Sequence, residues 1–147
     1  MSAEGIVLIG RMAWEAIRAA GWNPTSVGGL TMGADPVSYA IAGASFGTDM
    51  PVDAFSVRKE PKDHGTGRAI EGNFKPGDRV VIVEDVVTSG TSAQKATEAV
   101  EKAGGKVVGI IAVVDREEGG AAALTAAGHT VVALTNISAL GLKNTNE

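Results

Sequence analysis

The sequence predicts an α/β domain with a mostly parallel central sheet flanked by helices, and three observations carry that prediction. Strand-like and helix-like segments alternate along the chain, the pattern of parallel strands joined by right-handed helical crossovers. Segments 79–85 and 106–115 are nearly continuous in aliphatic residues, as strands covered on both faces are. Gly/Pro punctuation, as in Lys75-Pro76-Gly77-Asp78 and Gly104-Gly105, separates the segments.

Each element follows in order. Ile6, Leu8, Ile9, Met12, Ala13, Ile17 and Ala20 give residues 3–20 the spacing of an amphipathic helix, with Gly21 as its stop. Residues 26–30 read as a short strand entering a glycine-containing turn. Asp35-Pro36 opens a second helix, Asp as N-cap and Pro at the first helical position, running to about Gly43. Residues 51–57 are a strand. Residues 58–72 differ in kind: polar, glycine-containing, with both charge signs and no apolar period, they read as a long mobile loop. The buried strand 79–85 is followed by a polar turn at 88–91 and a helix at 92–103. Strand 106–115, a short helix at 121–127 and a last strand at 130–134 complete the order, and the tail from Lys143 is expected to fray.

With 147 residues, no internal repeat and no linker, the chain reads as a single domain over 1–147. Its net charge of −4 argues against a general nucleic-acid binder, so an anion site must be a local gathering of cations or backbone N–H groups. The absence of cysteine excludes disulfides and thiolate metal sites. No apolar run is long enough to span a membrane, and Glu4 and Arg11 flank too short an apolar stretch for a signal peptide. A cytoplasmic protein is the expectation.

The chemistry centres on Val80-Val81-Ile82-Val83-Glu84-Asp85-Val86-Val87-Thr88-Ser89-Gly90-Thr91-Ser92. A buried strand delivers adjacent carboxylates to the carboxyl edge of the sheet, where open α/β folds bind ligands. The hydroxyl-rich turn around Gly90 then enters a helix, exposing N–H groups at the positive end of the helix dipole. Phosphate wants the N–H groups and sugar hydroxyls want the carboxylates, so a sugar phosphate satisfies both. Five small polar residues alone are more often an ordinary capped turn, and two acids alone a solvated strand end. Their succession directly after an aliphatic strand favours the functional reading. Neither the Gly-Lys-Ser/Thr of a Walker A loop nor G-x-G-x-x-G is present.

The stretch from Val83 to Ser92 resembles the signature by which type I phosphoribosyltransferases bind 5-phosphoribosyl 1-diphosphate (PRPP). The resemblance implies the type I phosphoribosyltransferase fold. It also implies that Glu84 and Asp85 hold the ribose hydroxyls while Val86, Val87, Thr88, Ser89, Gly90, Thr91 and Ser92 hold the 5′-phosphate. Arg58-Lys59-Glu60-Pro61-Lys62-Asp63-His64-Gly65 resembles the catalytic loop of the orotate phosphoribosyltransferase branch. There Arg58, Lys59, Lys62 and His64 are expected to stabilise charge on the departing diphosphate. Residues 58–72 become a catalytic loop that excludes water. Lys62, His64 and Asp85 are the implied catalytic residues, with Lys62 and His64 reaching into the partner's site of a homodimer.

Downstream, Asp115-Arg116-Glu117-Glu118-Gly119-Gly120 resembles the same branch, whose arginine pairs with the orotate carboxylate. Arg116 matches it, with Thr88 beside the base; a plain ion pair of Arg116 with Glu117 or Glu118 is the alternative. Val27-Gly28-Gly29-Leu30-Thr31-Met32-Gly33-Ala34-Asp35-Pro36 looks like the family's pyrophosphate loop, although some family members place a lysine where Met32 stands. Mg²⁺ is the implied cofactor, bridging diphosphate and ribose oxygens, so no direct protein ligand is expected. The family carries a further N-terminal segment, a hood over the base, that would precede Met1. The expected function is therefore transfer of phosphoribose from PRPP to orotate, weakened for want of that hood. The alternative is a PRPP-binding module or reduced relative with weak or no transfer.

Overall fold

The fold, taken from a computed structural model, is described for residues 1–60 and 67–143. The chain runs α1 (Ala3–Ala19), β1 (Ser26–Leu30), α2 (Ala34–Ser45), β2 (Asp53–Val57), β3 (Ile70–Gly72), β4 (Arg79–Val87), α3 (Thr91–Lys102), β5 (Lys106–Asp115), α4 (Gly120–Ala126) and β6 (Val131–Asn136). The strands form one sheet in the order β3-β2-β1-β4-β5-β6. Every pairing is parallel except that of β3 with β2.

Alternation along β4 decides how the layers form. Val81 and Val83 point to one face, where they meet Ala13, Trp14 and Ile17 of α1 and Val37 and Ile41 of α2. Val80 and Ile82 point to the other, against Ala93, Ala96 and Val100 of α3 and Leu124 of α4. A strand with two apolar faces needs helices on both, and this is why 79–85 carries no polar alternation. On α1, Ser2 caps the first turn through its hydroxyl, accepting from the N–H of Gly5 at 3.0 Å. Trp22 follows α1 and lies across Gly109 of β5, where a Cβ would run into the indole ring.

Some boundaries differ from the sequence expectation, each for a stated reason. Helix α2 starts at Ala34 with Gly33 as N-cap, so Asp35 is not the cap. Its carboxylate is drawn across to β2 instead, where the Ser56 hydroxyl donates to it at 2.8 Å. Pro36 still sits in the first turn, whose N–H groups lack helical acceptors in any case. Within the segment read as loop, Ile70–Gly72 is an edge strand pairing Val57↔Ile70 and Phe55↔Gly72. Three residues containing a glutamate and a glycine carry no strand pattern; the exposed edge of β2 supplies the template. Strand β4 continues to Val87 and β6 to Asn136, beyond the positions where the aliphatic runs end. Residues 61–66 of the expected loop, and the end of the tail, lie outside the described residues.

Ile82 is fully buried in the central strand. Ile82→Ala is expected to cost about 2–5 kcal/mol in urea unfolding, since a sheet held from both sides collapses poorly around a cavity. Val7→Ala, at a half-exposed position on α1, should stay within about 0.5 kcal/mol.

Candidate active site

The strand order reverses direction between β1 and β4, because β1 leads through α2 to β2 on one side while β4 leads through α3 to β5 on the other. α2 and α3 lie on opposite faces of the sheet. A crevice therefore opens at the carboxyl ends of these two strands, the place where such sheets take ligands. The turn after β1 and the acids ending β4 meet there. A Cβ on Gly33 would stand 2.7 Å from both carboxylate oxygens of Asp85. Only a residue without a side chain lets the 31–34 turn approach that carboxylate so closely.

The two acids occupy different environments. Asp85 is exposed, and one oxygen accepts the Val86 N–H at 2.8 Å. Glu84 is 6% exposed, and its Oε1 has no hydrogen-bond partner among the described residues. Burial, helped by the neighbouring Asp85 charge, raises the Glu84 carboxyl from its ordinary 4.5 to about 7. A ligand hydroxyl would supply the partner that this buried oxygen lacks.

The hydroxyl turn is held from below. Gly90 has φ +84° and is the N-cap of α3, a left-handed position that favours glycine. Ser89 and Thr91 hydroxyls lie 2.9 Å apart, and the Thr91 N–H reaches Ser89 Oγ at 3.4 Å. Gly120, the first residue of α4, packs so closely on this turn that a Cβ would collide with the Thr88 carbonyl. Ser89, Thr91 and Ser92 are exposed, Thr88 partly so, while Val87 is buried and contributes its backbone. A cleft of about 460 Å³ borders the turn between α3 and α4, with Lys95 on its rim.

Arg58, Lys59 and Arg116 are brought to the same edge, and the two arginines have internal partners. Arg58, at the end of β2, lies 2.6 Å from Glu71 of β3. With Lys59, Thr31, Ser56, Glu60 and Glu71 it lines a cleft of about 590 Å³ beside the 31–34 turn. Arg116 donates its backbone N–H to the Val87 carbonyl at 3.0 Å, placing it next to the hydroxyl turn. Its guanidinium pairs with Glu118 at 2.9 Å, the alternative that the sequence left open. Glu117 turns away to the Ser138 hydroxyl and N–H. Lys62 and His64 lie outside the described residues.

Sequence reasoning missed the Asp35–Ser56–Tyr39 contacts. The Tyr39 hydroxyl is 3.3 Å from Ser56 Oγ, which donates to Asp35, so the start of α2 is tied to the end of β2. The available signal was a serine between Phe55 and Val57, facing α2 where an apolar residue would otherwise pack. It also missed Glu71 as the partner of Arg58, for which the sequence carries no signal.

Residues 3–129 match the family model described as "Phosphoribosyl transferase domain". The orotate phosphoribosyltransferase of Aquifex aeolicus is 48% identical over 137 residues, covering 93% of this chain and 74% of the relative. That of Mycobacterium leprae is 48% identical over 135 residues, covering 92% and 73%. Among solved structures, the Mycobacterium tuberculosis orotate phosphoribosyltransferase in complex with PRPP superimposes with a TM-score of 0.80 at 44% identity, covering 93% of this chain and 76% of that one. A phosphoribosyltransferase from Corynebacterium diphtheriae gives 0.86 at 39% identity, covering 96% and 80%.

Native Glu84 keeps its proton to about pH 7, whereas the unfolded chain releases it near the ordinary carboxyl value. The stability this contributes is complete below the unfolded value and is lost as pH rises through 7. Between pH 6 and pH 8 the ligand-free protein is expected to lose roughly 1 kcal/mol through this group. Glu84→Gln should remove that part of the slope; urea melts of both proteins across the range check it.

Proposed function

The chain belongs to the phosphoribosyl transferase family, and from that premise we propose that it catalyses transfer of phosphoribose from PRPP to orotate, giving orotidine 5′-monophosphate and pyrophosphate. This is a step of pyrimidine nucleotide synthesis. The observation that carries the reading is the meeting, at one sheet edge, of a buried carboxyl whose Oε1 has no partner among the described residues, an exposed carboxyl and a hydroxyl turn at a helix N-terminus. A ribose phosphate presents hydroxyls and a phosphate at that same separation of roles. Curated relatives at 44–48% identity, covering 92–95% of this chain, bear the orotate name.

In the proposed mechanism the bond from the anomeric carbon to the diphosphate oxygen breaks, a bond to a ring nitrogen of the base forms, and the proton of that nitrogen leaves to the departing diphosphate or to water. The sugar carries positive charge between these events. Glu84 and Asp85 hold the ribose hydroxyls and orient the ring; residues 86–92 anchor the 5′-phosphate. Arg58 and Lys59, with Lys62 and His64, face the leaving diphosphate, whose growing negative charge they offset. The 31–34 turn borders the same space. Arg116 receives the orotate carboxylate through its planar fork, with Thr88 beside the base. The segment between β2 and β3, residues 58–69, acts as the catalytic loop.

Mg²⁺ belongs to this reading as a companion of the substrate. The donors at this edge are carboxylates, hydroxyls and carbonyls, the hard oxygen set that suits Mg²⁺. Entering with the substrate, the ion would supply positive charge against the leaving group at the edge bordered by Asp85 and the 31–34 turn; no residue of the chain is assigned to it directly. The reading also includes a homodimer whose loop cations serve the partner's site. A cytoplasmic location completes it, and among the described residues no helix is long and apolar enough to cross a membrane.

Incubation with PRPP, Mg²⁺ and orotate is expected to yield orotidine 5′-monophosphate, read by the loss of orotate absorbance. Replacing Glu84 and Asp85 together with Ala should abolish PRPP binding by calorimetry while circular dichroism stays native. Retained PRPP affinity in that variant would overturn the assignment of the acids.

The shared-site proposal has its own check. Lys62→Ala and Arg116→Ala chains, each inactive alone, are expected to regain partial activity when mixed, because one hybrid site is intact. Absence of rescue in verified mixed dimers would mean that each site is built within one subunit.

A further inference from the structure

Three acids surround Arg116, and the structure gives them different work. Asp115 accepts the Glu117 N–H at 2.8 Å, shaping the turn after β5. Glu117, at φ +57°, accepts from the Ser138 N–H at 3.1 Å and from its hydroxyl at 2.5 Å, tying that turn to the segment after β6. Glu118 alone faces the guanidinium, 2.9 Å away, and both side chains are about two-thirds shielded or more, with exposures of 35% for Arg116 and 27% for Glu118.

We propose that Glu118 is a resident counter-ion: an internal carboxylate that occupies the Arg116 guanidinium in the free protein and is exchanged for the carboxylate of the planar anionic base. The inference rests on the reading of Arg116 as the base-carboxylate receptor and deepens it. A guanidinium carries five N–H donors, and both of its bidentate edges include the Nη2 nitrogen that Glu118 approaches, so a base carboxylate taking either edge meets Glu118 at that nitrogen. While Glu118 stands there, the base must displace or share that contact, and its apparent affinity falls accordingly.

The pair has a corresponding use. Arg116 is one backbone hydrogen bond from Val87, at the start of the turn assigned to the 5′-phosphate. An unoccupied guanidinium there would attract phosphate or diphosphate groups to the base position. Glu118 opposes them by its negative charge, 2.9 Å from the guanidinium. The incoming base brings a carboxylate of matching shape and so exchanges with Glu118 where a dianionic phosphate is repelled. Glu118 is thus a specificity residue for the class of anion admitted.

The test compares Glu118→Gln and Glu118→Ala with the unaltered chain. Orotate dissociation constants come from calorimetry on the free protein, and Michaelis constants from turnover. Both variants are expected to bind orotate about two- to fivefold more tightly, the range set by ion pairs that water still partly screens. Inorganic phosphate should inhibit them more strongly, in competition with orotate, while the Michaelis constant for PRPP serves as the control. Unchanged or weaker orotate binding in both variants would overturn the counter-ion, because Glu118 would then be idle or a mere support for Arg116. Arg116→Ala separates this from the underlying reading. If it weakens orotate at least tenfold while the Glu118 variants change nothing, the receptor stands and the counter-ion falls. If Arg116→Ala leaves orotate binding unchanged, both fall.

Discussion

The constraint on which the site depends is that β4 must be apolar on both faces and then, within one residue, acidic. Val80 through Val83 are each fully buried between two helical layers, so the strand is pinned at the centre of the sheet and cannot shift register without burying charge or exposing valine. That rigidity carries the next residues, Glu84 and Asp85, to a fixed height at the carboxyl edge. Alternation then sends them to opposite sides. Asp85 meets the turn before α2 at Gly33. Glu84 stays on the side of Val80 and Ile82, where burial raises its carboxyl to about 7. Two adjacent residues of one chemical type thus acquire different protonation behaviour from the pleat alone.

Close backbone approach is the second theme of this edge. Gly33 admits the Asp85 carboxylate, Gly120 admits the Thr88 carbonyl, and Gly90 turns the chain into α3. Gly33 and Gly120 join elements that are distant in sequence, and Ser89, Thr91 and Ser92 beside them are exposed. The Ser56 hydroxyl, between Asp35 and Tyr39, does the same for the start of α2 with polar contacts. An anion site in a chain of net charge −4 is built this way, from oriented backbone and a few local cations, because overall charge does not help it.

The cations themselves are balanced. Arg58 has Glu71 and Arg116 has Glu118 at ion-pair distance. Such partly exposed pairs are individually weak, so their consequence lies less in stability than in what a ligand would displace on entry. Under the proposed function an anionic substrate would exchange one carboxylate partner for another, and selectivity among anions would depend on shape and charge at least as much as on attraction.

Much of this was legible in the amino-acid order. The strand bounds 26–30 and 106–115, the alternation of elements and the acid–hydroxyl sequence of the central motif are local patterns, written within a few turns of chain, and local pattern is what periodicity reports. The family, too, is carried by contiguous residues. What tertiary structure decided has long-range causes. Ile70–Gly72 is a strand only because β2 offers it an open edge. Asp35 leaves the helix cap because Ser56, 21 residues away, offers its carboxylate a donor. Glu84 differs from Asp85 because the fold buries one and leaves the other exposed. Sequence order specifies which groups are present and their local geometry; only the packed sheet decides which distant group each one meets, and it is that meeting that sets burial, charge state and partner.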